Sequence, residues 1–178
     1  GFGSVHVNGV HYVTTGATIT LDDNPGTESD LRVGQVVRIE GRLDQDGING
    51  TATRVIFDDE VEGPVQSIDR VNSRLVVLGR TVQVSTQTSF DDSISPRSLE
   101  GVAVGDRIEV SGLVATTGVV EATRIERKTA QASVEVKGTI SALDTNARTF
   151  ALSQLTVSYA SAQLNGFASG QPANGDRV

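Results

Sequence analysis

Hydrophobic and polar positions alternate along most of the chain. In VVRIEGRL (36–43), Val37, Ile39, Gly41 and Leu43 share one side of an extended segment, and Val36, Arg38, Glu40 and Arg42 share the other. A period of two with one apolar side predicts a strand that buries a single face. The turn residues of DQDG (44–47) follow, and ATRVIF (52–57) then reads as the antiparallel partner. The middle of the chain carries the fullest pattern: GPVQSID (63–69), RLVVLG (74–79), TVQVST (81–86), RIEVSGLV (107–114) and VVEATRIE (119–126) all read as strands. Between the third and fourth lies SFDDSISPRSLEGVAVGD (89–106), the one stretch long enough for a helical turn. Five short strands with an excursion after the third follow the order of an OB-type barrel.

The pattern repeats. VGQVVRIEG (33–41) is answered by VGDRIEVSG (104–112) and again by NGDRV (174–178), so Gly34, Gly105 and Gly175 correspond. Gly41 then falls on Gly112, Val37 on Ile108 and Ile39 on Val110. ATRV (52–55) answers ATRI (122–125), and GPVQSID answers GTISALD (138–144). Several matches in one register mark a duplicated unit about 70 residues long. Three units are expected: 1–60, lacking a first strand; 61–130, complete; and 131–178, stopping at its fourth strand. The joint DDEVEG (58–63) leaves little slack, whereas RKTAQASVEV (127–136) is longer and richer in small polar residues. Glycine weakens a strand interior, so Gly41 and Gly112 are expected at a bulge or barrel corner. Open edges at the two end units imply either a longer chain or completion by strands of a neighbour, head to tail, as in a fibre.

Composition narrows the class. Valine and threonine fit a pleated, half-buried surface, while Lys128 and Lys137 are the sole lysines among the 15 basic residues. The fold class is therefore all-β. Aromatics make up 4% of the chain and Trp and Met are absent, so each core must be small and aliphatic. The net charge of −7 repels phosphate backbones, and no basic cluster interleaved with aromatics occurs, which argues against nucleic acid as a partner. Without cysteine there are no disulfides, thiol nucleophiles or cysteine-held zinc. No run reaches the roughly 18 apolar residues of a membrane span. No signal peptide is visible, so any targeting segment is expected upstream of Gly1.

GFGSVHVNGV (1–10), DLRVGQVVRIEG (30–41), TATRVIFDDEVEGPV (51–65) and VGDRIEVSG with ATRIE together resemble the bacterial domain of unknown function 5666 family. The resemblance covers essentially the whole chain in tandem copies. It implies OB-like β-barrels in exported or envelope-associated bacterial proteins, hence a secreted, periplasmic or cell-surface location. It brings no catalytic or binding residue with it.

Candidate chemistry is sparse. His6 and His11 are five apart, so in one continuous strand they would face opposite sides and could not share an ion; they read as strand residues near a β-turn at Asn8-Gly9, and a metal role would need partners from elsewhere. LDDNPGTESD (21–30) places oxygen donors beside Gly26, which makes Asp22, Asp23 and Asp30 candidate calcium ligands. The loop lacks EF-hand spacing, and solvated acidic turns explain it, as they explain Asp58-Asp59-Glu60 and Asp91-Asp92. Arg54 and Arg124 are aligned and are expected to pair with cross-strand acids. No nucleophile elbow, Walker loop or dinucleotide fingerprint occurs, so no catalytic residue and no cofactor are assigned. The expected role is a non-enzymatic structural and partner-binding repeat, taking a protein or glycan or associating head to tail. A polymerising fibre subunit and an OB-type nucleic-acid binder are the alternatives.

Overall fold

The computed structural model describes residues 3–129 and 134–178 and divides into two compact units, Gly1–Asp59 and Glu60–Val178. The first unit begins with a hairpin of β1 (Ser4–Val7) and β2 (Val10–Val13). Its turn, Asn8-Gly9, has φ of 51° and 82°, the left-handed pair that matches the twist of two-residue hairpins. A second tight turn at Asp22-Asp23 joins β3 (Thr18–Leu21) to β4 (Asn24–Gly26), and a short 3-10 turn spans Glu28–Asp30. β5 (Val37–Leu43) and β6 (Asn49–Phe57) form the predicted long antiparallel pair. β6 organises the unit, pairing in parallel with β2 through its first residues and with β3 through its last.

In the second unit, β7 (Val61–Asp69), β8 (Arg74–Val77) and β9 (Arg80–Gln83) form a meander. The two-residue β10 (Ser89–Phe90) follows, then the pair β11 (Arg107–Val114) and β12 (Val120–Arg127). β11 pairs with β7, and β12 pairs in parallel with β9, so the five strands β7-β8-β9-β12-β11 close on β7. That is the OB order, with the first strand beside the fourth and the third beside the fifth. The 89–106 excursion turns through the 3-10 segment Leu99–Gly101 and delivers Ile94, Leu99 and Val102 to the core.

β13 (Glu135–Val136) adds to β7, and β14 (Ile140–Asp144), β15 (Thr149–Leu152) and β16 (Leu155–Ser158) form a separate antiparallel sheet. Ile140, Phe150, Leu152 and Tyr159 make its small core. Residues 130–133 of the polar joint lie outside the described residues. Thr139 bridges Arg177, as Pro64 pairs with Arg107 in the barrel, so NGDRV enters the position of a fourth strand.

The recurring glycine has a local cause. Gly34, Gly105 and Gly175 have φ of 94°, 91° and 96°, a conformation other residues resist. The Gly105 amide donates to Val65 O and the Gly175 amide to Ile140 O, both at 2.9 Å. Beside them, Asp106 and Asp176 accept from the amides of Ala103 and Ala173, and Gln35 accepts from Arg32. One turn is thus built three times. The strand-interior glycines behave as expected: register shifts fall between Glu40 and Gly41 and between Ser111 and Gly112. A Cβ on Gly112 would lie 2.6 Å from the Glu121 carbonyl oxygen, and one on Gly41 2.1 Å from that of Thr51.

Closure decides how deep each core is. Ile108 and Val110 are completely buried in the barrel, whereas the aligned Val37 and Ile39 are half-buried against Ala52 and Val55. Among the described residues no strand pairs the outer side of β1 or β5, so the first sheet stays open.

Candidate functional site

The hairpin overturns the expectation for the two histidines. His6 and His11 lie on different strands and face each other directly across the pair, with ring centroids 4.7 Å apart. Parity along a single strand does not apply once the Asn8-Gly9 turn intervenes; cross-strand register does.

The acidic residues serve turns. The Asp22 carboxylate accepts from the Asp59 amide at 2.9 Å. Asp30 accepts from the Thr27 amide and hydroxyl, which holds its carboxyl below the ordinary range. Among the described residues, neither Asp23 nor Asp30 belongs to a group of three ligating side chains close enough to share an ion. Asp58-Asp59-Glu60 is not the solvated turn expected: Asp58 is exposed, but Asp59 is buried and Glu60 is ion-paired. Asp91 accepts from the hydroxyl and amide of Ser93, which lowers its pKa, and Asp92 pairs with Arg97 at 2.8 Å. Arg54 meets its cross-strand neighbour Glu40 at 3.1 Å, as expected. Arg124 departs from that pattern: its cross-strand neighbour is Ser111, and the acid it binds is Glu126, two residues along its own strand.

The site that sequence reasoning missed is built around Arg80. It opens β9 directly after the Leu78-Gly79 turn, in phase with the inward-facing Val82, and is 3% exposed. The equivalent turn-closing positions are Val10 and Leu155 in the other hairpins, so a charge replaces an aliphatic residue on the core side. That substitution within the repeat was the available signal. Nη1 of Arg80 donates to Ser153 Oγ at 3.3 Å, Nη2 lies 4.0 Å from Glu60 Oε2, and Nε and Nη2 have no hydrogen-bond partner among the described residues. Arg177 donates from Nη2 to both Glu60 oxygens, at 3.0 and 3.1 Å. Burial pushes the Arg80 pKa down; Glu60 opposes this, and Arg177 adds to it. An unmatched buried donor costs about 1–3 kcal/mol, and more when charged, so two guanidinium groups around one carboxylate form an under-neutralised positive centre. Beside it a cavity of about 320 Å³ is lined by Arg80, Arg177, Thr116, Thr117, Thr139 and Ser153.

This geometry sits in a duplicated chain whose copies are recognisable. A family model described as a domain of unknown function (DUF5666) matches residues 1–56 and 62–126. The chain belongs to the DUF5666 family. The two matched segments of this DUF5666 chain cover β1 through most of β6 and most of β7 through most of β12. No curated protein and no solved structure matches it.

Proposed function

We propose that this DUF5666 chain is a non-enzymatic structural and partner-binding repeat protein of the bacterial cell surface or secreted fraction. The joint between the barrel and the following sheet, inside Glu60–Val178, carries the reading. β13 extends the barrel sheet at Val61 and Glu62, the Lys137 amide donates to Glu60 O at 3.2 Å, and Arg177 grips the Glu60 side chain. A joint made of backbone ladder and ion pair fixes spacing and orientation, as a spacer requires and a flexible tether does not.

Five carboxylates at turns are in keeping with the non-enzymatic part. Glu28, Asp30, Asp46, Asp69 and Asp91 are all held below the ordinary carboxylate range, chiefly by hydrogen bonds from side chains. A general acid needs the opposite displacement, toward neutrality. The partner-binding part falls to the Arg80 cavity. Its hydroxyl-bearing walls and net positive centre suit the carboxylate of an acidic glycan.

Native-state hydrogen exchange tests the spacer. Amides of β13 and β14 should open with the same free energy as those of β7. If the β14–β16 sheet opens at far lower denaturant than the barrel, the spacer reading fails.

A further inference from the structure

The β1–β2 hairpin brings two imidazoles side by side across a strand pair. Val7 and Val10 close the Asn8-Gly9 turn, and His6 and His11 form the next cross-strand pair. The His11 amide donates to Ile48 O at 2.9 Å, on the β6 side, and so away from His6. This marks a non-hydrogen-bonded pair, the class in which facing side chains come closest. The rings lie 4.7 Å apart between centroids and are tilted by 40°. Alternation sets their face. Tyr12, the neighbour of His11 on β2, packs on the core of the first unit, so the histidines point to the other side, with His6 exposed and His11 half-buried.

We propose that His6 and His11 chelate a divalent late first-row transition ion, such as copper or zinc, on the outer face of the β1–β2 hairpin. Neutral imidazole is the ligand these ions favour, whereas calcium and magnesium prefer carboxylate and carbonyl oxygen. Among the described residues no third histidine or carboxylate stands close enough to complete a three-residue group. The remaining coordination positions therefore belong to water, and the site is open. A two-imidazole chelate gains over a single imidazole because the strand pairing already holds the second ligand beside the first. The order of affinity follows copper above zinc or nickel. This inference is independent of the spacer reading, which concerns the other unit.

The test uses the full chain without a histidine tag. Zinc and copper are titrated by calorimetry, with calcium and magnesium as controls, alongside His6→Ala, His11→Ala and the double variant. Saturable binding of one copper or zinc ion is expected, with no heat from calcium at the same concentrations. Loss of either histidine should weaken binding on the order of a hundredfold. His6 is exposed, so His6→Ala keeps the fold even if His11→Ala disturbs it. Zinc should also shift the imidazole resonances of both histidines together in NMR spectra. The proposal is overturned if zinc and copper give no saturable binding up to millimolar concentration. It is equally overturned if His6→Ala binds as tightly as the native chain, or if one imidazole moves without the other.

Discussion

At the residue scale, the same position in two repeats carries different weight. Ile108 lies inside a closed barrel and is fully buried, while its counterpart Val37 sits beside an open edge and is half-buried. Removing a buried aliphatic side chain loses both transfer energy and the packing around the cavity left behind. Ile108→Ala should therefore destabilise the barrel by about 2–5 kcal/mol. Val37→Ala should cost clearly less, since its surroundings can relax toward solvent. Urea denaturation of the two variants measures both values, and equal losses would contradict the burial difference.

At the scale of elements, carboxylates pin several turns. Glu28 accepts from the amides of Gly3 and Ser4 and from the hydroxyl of Thr14, tying the start of β1 to the end of β2. Asp69 caps the β7–β8 turn through Asn72, and Asp144 does the same for β14–β15 through the amides of Asn146 and Ala147. The Thr14 hydroxyl, then the two amides, outweigh desolvation and lower the Glu28 pKa. The sign follows from linkage. A carboxyl with a lowered native pKa stabilises the fold above the ordinary carboxylate range, and that contribution disappears as pH falls through this range to the native value. Thermal denaturation from neutral to acid pH should show stability falling in this window. Glu28→Gln should be less stable at neutral pH and should lose less on acidification. An unchanged acid slope would remove Glu28 from the account.

At the scale of the whole molecule, charge is distributed unevenly. The chain carries −7 overall, yet Arg80 and Arg177 share one carboxylate beside a hydroxyl-lined cavity. The global sign disfavours a polyanion, whose phosphates a net negative chain repels. A single carboxylate reaching the cavity meets the local positive centre instead. Glucuronate should therefore bind with an affinity that Arg177→Ala abolishes, while a low-salt gel shift with single-stranded DNA should show no retarded band. Calorimetry and the gel decide. Retarded DNA would favour the nucleic-acid reading, and glucuronate binding that survives Arg177→Ala would place the ligand elsewhere.

The sequence by itself determined the strand class, the OB strand order of the middle repeat, the recurring glycine turn and the bulges at Gly41 and Gly112. Those features depend on local periodicity and backbone conformation, which neighbouring residues encode directly. Tertiary structure decided which distant side chains meet. His6 and His11 became partners because a hairpin folds parity along the chain into register across it. Arg80, Glu60 and Arg177 converge from three distant segments, the last 117 residues from Glu60, and nothing local to any of them specifies the others. Closure of the barrel is likewise a long-range event. The parallel contact of β9 with β12 converts a strip of alternating residues into a sealed core around Ile108, and the same alternation in the open first sheet leaves Val37 half in water.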